Sequence, residues 1–182
     1  MTNAAELLRL IHNLIRMGTI AEVDHASARC RVQTGELITA RLPWIEARSG
    51  TTRTWNPPTL GEQVVVFSPG GDPTAAVVLT GLYRTQHPAP SDSADLWHAV
   101  MPDGAVIEYD HAASHLRAEL PGSAEITAPA GLVIHADTTI NGTVAFNGES
   151  VTHNGTNIGD THQHPQGNDS AGNSQQDTGG PK

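Results

Sequence analysis

A single cysteine, Cys30, leaves this 182-residue chain no intrachain disulfide, and the default for such a chain is folding in a reducing compartment. Aromatic residues are scarce, at 4%, and hydrophobic residues reach only 37%, a thin supply for one core of ordinary density. No stretch approaches the ~20 consecutive apolar residues of a membrane-spanning helix. The N-terminus lacks the basic region and small-residue cleavage site of a secretory leader. The expectation is a soluble product of cytoplasmic synthesis. Basic residues run out in the second half. Residues 87–182 hold twelve acids against Arg117 and Lys182, a net of −10, whereas residues 1–86 hold seven acids and eight arginines. Such asymmetry marks two regions with different surroundings. It also argues against nucleic acid binding by the acidic half, because affinity for phosphates rests on Lys and Arg.

What is abundant is glycine and proline, 18 and 12 residues, too many for a helix-rich fold. One helix is expected, over residues 3–17. Asn3 can cap it with Glu6 three positions on, Leu7, Leu10, Ile11 and Leu14 fall at helical spacing with Leu8 and Ile15 on the flank, and Gly18 would end it. The apolar stripe must dock on something, either its own domain or a partner subunit. From there the period changes to two. Strands are expected at residues 19–24, 28–33, 37–42, 63–68 and 74–79. Ala28, Cys30 and Val32 share one face, which makes Cys30 a small core residue rather than a nucleophile. The turn at residues 69–73 lacks the Lys-Ser/Thr and helix of a phosphate loop. Five short strands in so little chain suggest a small barrel, and an OB-fold fits the count. Barrels of that kind bind single strands or sugars when aromatics line a basic groove. Here the balanced charge favours a barrel used as a platform, its tryptophans filling the interior.

Five segments in this region, Leu42-Pro43-Trp44, residues 54–58 (Thr-Trp-Asn-Pro-Pro), residues 61–64 (Gly-Glu-Gln-Val), residues 68–72 (Ser-Pro-Gly-Gly-Asp) and residues 79–83 (Leu-Thr-Gly-Leu-Tyr), resemble in order the N-terminal domain of the phage baseplate assembly protein V family. That family forms the central spike of contractile tails and of related phage-tail-like bacteriocins. The resemblance implies a homotrimeric virion protein at the tail tip, its N-terminal region against tail hub and baseplate proteins, its other end driven through the bacterial outer membrane.

Residues 87–97 read as a linker. Beyond it, short strands recur about every ten residues with Pro, Gly, Asn or Asp at each break. The interval then shortens to the Asn-Gly pairs after Ile140, Phe146 and His153. Repetition at short period marks β-solenoids. The apolar side chains are too small and few for one chain to build its own core. Three chains wound together, with Val144, Phe146 and Val151 toward a common axis, would solve that; a monomeric β-helix is the competing reading. The resemblance implies the trimer. The expected architecture is therefore mainly β: residues 1–17 helix, 18–86 OB-fold, 87–97 linker, 98–150 intertwined trimeric β-helix, and 151–182 a metal-binding apex and tail.

The apex carries His162 and His164. Residues two apart on an extended chain point the same way. Two imidazoles do not close a site, but three copies supply six nitrogens, and six ligands disfavour zinc. In the resembled family this motif binds iron, one per trimer, which implies His162 and His164 as the ligands; His153 does not match and is read as a rim or packing residue. A metallo-hydrolase would need further ligands and an open water position, yet Pro165, Gln166 and Gly167 follow. Glu108 and Asp110 are read as solvated. The protein is expected not to be an enzyme. Residues 177–181 also resemble spike C-termini that fold back around the apex. Two rival functions remain: a barrel that binds nucleic acid or glycan with the rod as spacer, and a metal-dependent hydrolase.

Overall fold

In the computed structural model, residues 3–179 are described, and the chain divides into two units, Met1–Glu125 and Ile126–Lys182. Gly180 and Pro181 of the expected fold-back tail lie outside the described residues. No helix among the described residues is long and apolar enough to cross a membrane.

The first unit opens with α1, Ala4–Leu14. The Asn3 side chain accepts from the Glu6 amide at 2.8 Å, satisfying one of the donors a helix start leaves unpaired. Glu6 itself turns to Arg9, 2.7 Å away. The helix ends at Leu14, three residues earlier than expected, and runs without a loop into β1, Ile15–Asp24. Gly18 therefore does not stop the helix. It lies inside β1, where a Cβ would sit 2.4 Å from Val32 Cγ1 and 2.6 Å from the Gln33 carbonyl oxygen; it is a crossing point of two strands.

Next come β2, Arg29–Thr34, β3, Leu37–Ile38, β4, Gln63–Phe67, and β5, Val77–Leu82, in the antiparallel order β3-β2-β1-β4-β5. The strand expected at residues 37–42 is cut to two residues, and that at 74–79 begins as a 3-10 turn, Pro73–Ala75, because proline removes a ladder donor. Register shifts at Ile20/Glu22 and Gln63/Val65 add the bend and twist that curl a sheet. Closure comes from residues 42–45. Leu42 exchanges hydrogen bonds with Cys30 at 2.8 and 2.9 Å, while Val78 donates to Pro43 and accepts from Ile45. One segment thus ties β2 to β5, giving the barrel expected from the strand count.

Ile20, Cys30, Val32, Leu42, Val64, Val66, Ala76 and Val78 form the core, with Val23 and Trp44 against it. Ala28 is not part of that face. It sits exposed in the β1–β2 turn with φ 51°. Nor do both tryptophans fill the barrel, since Trp55 is 59% exposed. Helix α1 docks on the Pro69–Gly71 turn, so closely that a Cβ on Gly71 would lie 2.3 Å from the Leu10 carbonyl oxygen. Leu7, Leu8, Ile11, Leu14 and Ile15 all remain exposed. Of the apolar stripe only Leu10, beside Gly71, is half-buried; most of the stripe stays open.

A separate antiparallel sheet follows, of β6, Leu96–Val100, β7, Val106–Asp110, and β8, His115–Glu119. Its first strand starts inside the stretch expected as linker. Paired residues share a face, so the register puts Trp97, Tyr109 and Leu116 in one row and Ala99, Ile107 and Ala118 in the next. The opposite face carries His98, Glu108 and Arg117. Glu108 is not simply solvated: it is half-buried between His98, 2.7 Å away, and Arg117, 3.5 Å away.

In the second unit the strands expected between residues 123 and 146 are not formed within the chain; an extended segment becomes a strand only where a neighbour accepts its backbone hydrogen bonds. Regular pairing returns with β9, Thr152–His153, and β10, Thr156–Asn157. Asn154 and Gly155, with φ 49° and 79°, make the two-residue turn whose twist matches a hairpin.

Candidate functional site

Leading out of this hairpin, the chain is fixed by its own side chains. The Ile158 amide donates to the Val151 carbonyl at 2.8 Å. Asn157 then acts twice, its Oδ1 accepting from the Gly159 amide at 2.8 Å and its Nδ2 donating to Thr161 Oγ1 at 2.7 Å. The Gly159 carbonyl is thereby aimed at His162, whose Nδ1 lies 2.5 Å from it. A carbonyl only accepts, so Nδ1 carries the hydrogen, and in the neutral ring Nε2 then holds the lone pair. That is the state in which an imidazole binds a metal, its other nitrogen held by a carbonyl.

His164 is held by its backbone. Its amide donates to Thr178 Oγ1 at 2.9 Å, and its carbonyl accepts from the Thr178 amide at 3.0 Å. The tail therefore returns to the histidine pair. The two rings stand edge to face with centroids 5.1 Å apart. His162 is half-buried and His164 exposed. His153 is placed apart, exposed in β9 opposite Thr156. Among the described residues no cluster of three or more His, Cys, Asp or Glu could hold a metal ion. One chain therefore offers two imidazoles and closes no site by itself. The sequence pointed to the histidines; Gly159, Asn157 and Thr178 were missed as supports, because nothing in their residue type says where their polar atoms point.

A second locus lies on the barrel. The β1–β2 turn and the loop from Trp44 to Trp55 enclose a cavity of about 470 Å³, rimmed by Arg29, Arg48 and Arg53. The two indoles meet at 5.5 Å with planes 57° apart. Glu46 holds the loop: its carboxylate accepts from the Asn56 and Ala47 amides and from Thr54 Oγ1, at 2.9 to 3.0 Å. Those bonds, the Asn56 amide foremost, hold its carboxyl below the usual carboxylate range. Cys30 is enclosed in the core, where burial pushes its thiol up to about 11, the state of an inert core thiol.

Residues 16–83 match the family described as the Type VI secretion system/phage-baseplate injector OB domain. Over 128 residues the chain is 45% identical to a protein of Escherichia phage P2 named "Spike protein", a match that covers 70% of this chain and 61% of that relative. The chain thus spans less than two thirds of the relative's length.

Proposed function

The chain belongs to the phage-baseplate spike family, with the injector OB domain over residues 16–83, and from that premise we propose that it is the homotrimeric spike of a contractile tail, made in the host cytoplasm and carried at the virion tail tip. One observation supports the trimer above all. The chain leaves a long series of apolar side chains without cover: Trp97 at 58%, Leu116 at 66%, Ile126 at 75% and Phe146 at 71% exposure, with Tyr109, Leu132, Val133 and Ile134 between them. Monomeric soluble proteins rarely leave such surface open. Two further copies would cover it, and residues 98–150 would then form an intertwined β-helix in which the extended segments after β8 pair between chains.

The exposed part of the stripe on α1, Leu7, Leu8, Ile11 and Leu14, supports a docking role for the N-terminal region against hub and baseplate proteins. At the other locus, His162 and His164 from each of three chains supply six imidazoles, the set proposed to hold one iron per trimer. Bound there, the ion cross-links three chain ends and keeps them from fraying. The role is structural, with no catalytic step: the apex is pushed through the outer membrane. Twelve acids in residues 87–182 face anionic head groups with like charge, so entry depends on force applied from behind and not on adhesion. Light scattering on the chromatographed protein is expected to give three chains per particle, and a stable monomer would refute the reading.

A further inference from the structure

The cavity between the β1–β2 turn and the Trp44–Trp55 loop is lined by three arginines and one acid, Glu46. Among the described residues, the guanidinium groups of Arg29, Arg48 and Arg53 have no hydrogen-bond or ion-pair partner. The neighbouring arginines differ. Arg41 is bound to Glu22 at 2.7 Å and to Asp24 at 3.2 Å, and Arg31 reaches Glu22 at 3.6 Å and the Thr39 carbonyl at 2.9 Å. The acid at the rim, Glu46, has both oxygens committed to holding residues 54–56 against residues 46–48. Behind the arginines, Trp44 packs on the core while Trp55 stays exposed, leaving an apolar wedge next to three unpaired cations.

We propose that this cavity docks an acidic segment of a partner protein, an aromatic or proline side chain set against Trp44 and Trp55 and its carboxylates on Arg29, Arg48 and Arg53. Arginine forks match carboxylates in bidentate geometry, and Trp and Arg side by side are what buried anchors of interfaces are made of. A nucleic-acid strand fits less well. Phosphates recur along it and need cations that continue beyond one pocket, whereas the next arginines here are already paired. A neutral glycan would stack on the indoles and leave three guanidinium groups unused. The loop is preorganised by Glu46, so little ordering cost falls on binding. The inference rests on the barrel alone and is independent of the trimer and the metal.

The test uses the full chain and a fluorescein-labelled peptide of four acidic residues around a Trp-Pro pair, followed by anisotropy. Its amide counterpart, with Asn and Gln for the acids, and a twelve-nucleotide oligothymidylate serve as competitors. The acidic peptide is expected to bind saturably and to weaken as salt rises. The Arg48→Gln/Arg53→Gln double variant is expected to lose about tenfold or more in affinity, as removal of two charge-assisted contacts implies. Trp55→Ala should weaken binding comparably, while Arg41→Gln, outside the cavity, should not. All these side chains are exposed, and an unchanged thermal midpoint confirms folding. Absence of saturable binding, equal binding of the amide peptide, or indifference to the double variant would overturn the proposal. Tighter binding by the oligonucleotide would replace the protein partner with a nucleic acid.

Discussion

Gly71 shows how much can depend on one missing methyl group. Its φ is +75° and a Cβ would meet the Leu10 carbonyl oxygen at 2.3 Å and its Cα at 2.7 Å. Gly71→Ala is therefore expected to cost about 2 to 4 kcal/mol, adding left-handed strain to overpacking, with α1 displaced. Urea unfolding measures the loss, and amide exchange in α1 localises it. Cys30 gives a second expectation. With its thiol pushed up to about 11, it should react with a thiol reagent at pH 8 only as fast as the barrel opens. At the apex, Thr178→Val removes the hydroxyl that accepts from the His164 amide. Faster metal loss to a chelator is expected, with Thr178→Ser close to wild type. Residues whose role is local were legible in the sequence: Asn3 as a cap, Cys30 as a core residue by alternation. Gly18 was misread as a helix stop, and Gly71, rightly read as part of a turn, gave no sign of its contact with Leu10, because close approach of distant chain segments leaves no mark on neighbouring residues.

At the scale of elements, the loop from Trp44 to Trp55 should respond to pH. The folded state lowers the Glu46 carboxyl below its unfolded value, which is near 4.3. Its contribution is therefore fully present above that value and lost as pH falls through the folded one. The loop should loosen progressively as pH falls below that unfolded value, seen as a change in Trp55 emission that Glu46→Gln abolishes. For the sheet of β6, β7 and β8, the open row of Trp97, Tyr109 and Leu116 makes a different prediction. Leu116→Glu would place an unpaired carboxylate in the proposed interface, at about 3 to 5 kcal/mol per site, and should yield smaller particles by light scattering with the barrel still folded. Strands that pair within the chain were legible from their period-two pattern, near residues 19–34, 63–67 and 106–119. The helix end was not, because Ile15, Met17 and Thr19 continue an apolar run that either period can use. The segments expected as strands at residues 123–146 have the right alternation but form no strand ladder within the chain.

Over the whole molecule, charge and apolar surface point to the same division of labour. The balanced N-terminal half closes a barrel and leaves a stripe and a cavity open. The acidic half leaves its apolar side chains open and ends at two histidines, with Thr178 of the returning tail bonded to His164. Family membership was legible in the five Pro- and Gly-bearing segments, since those residues set the loops that define the barrel. The supports of His162 were not, being made by the Gly159 carbonyl and the Asn157 amide. The central claim is a three-chain clasp around one metal ion. Native mass spectrometry of the purified full-length protein tests it most directly. A single species of three chains plus one iron is expected, with the iron lost in the His162→Ala/His164→Ala variant; a single-chain species, or a trimer whose metal content is indifferent to that variant, would contradict it.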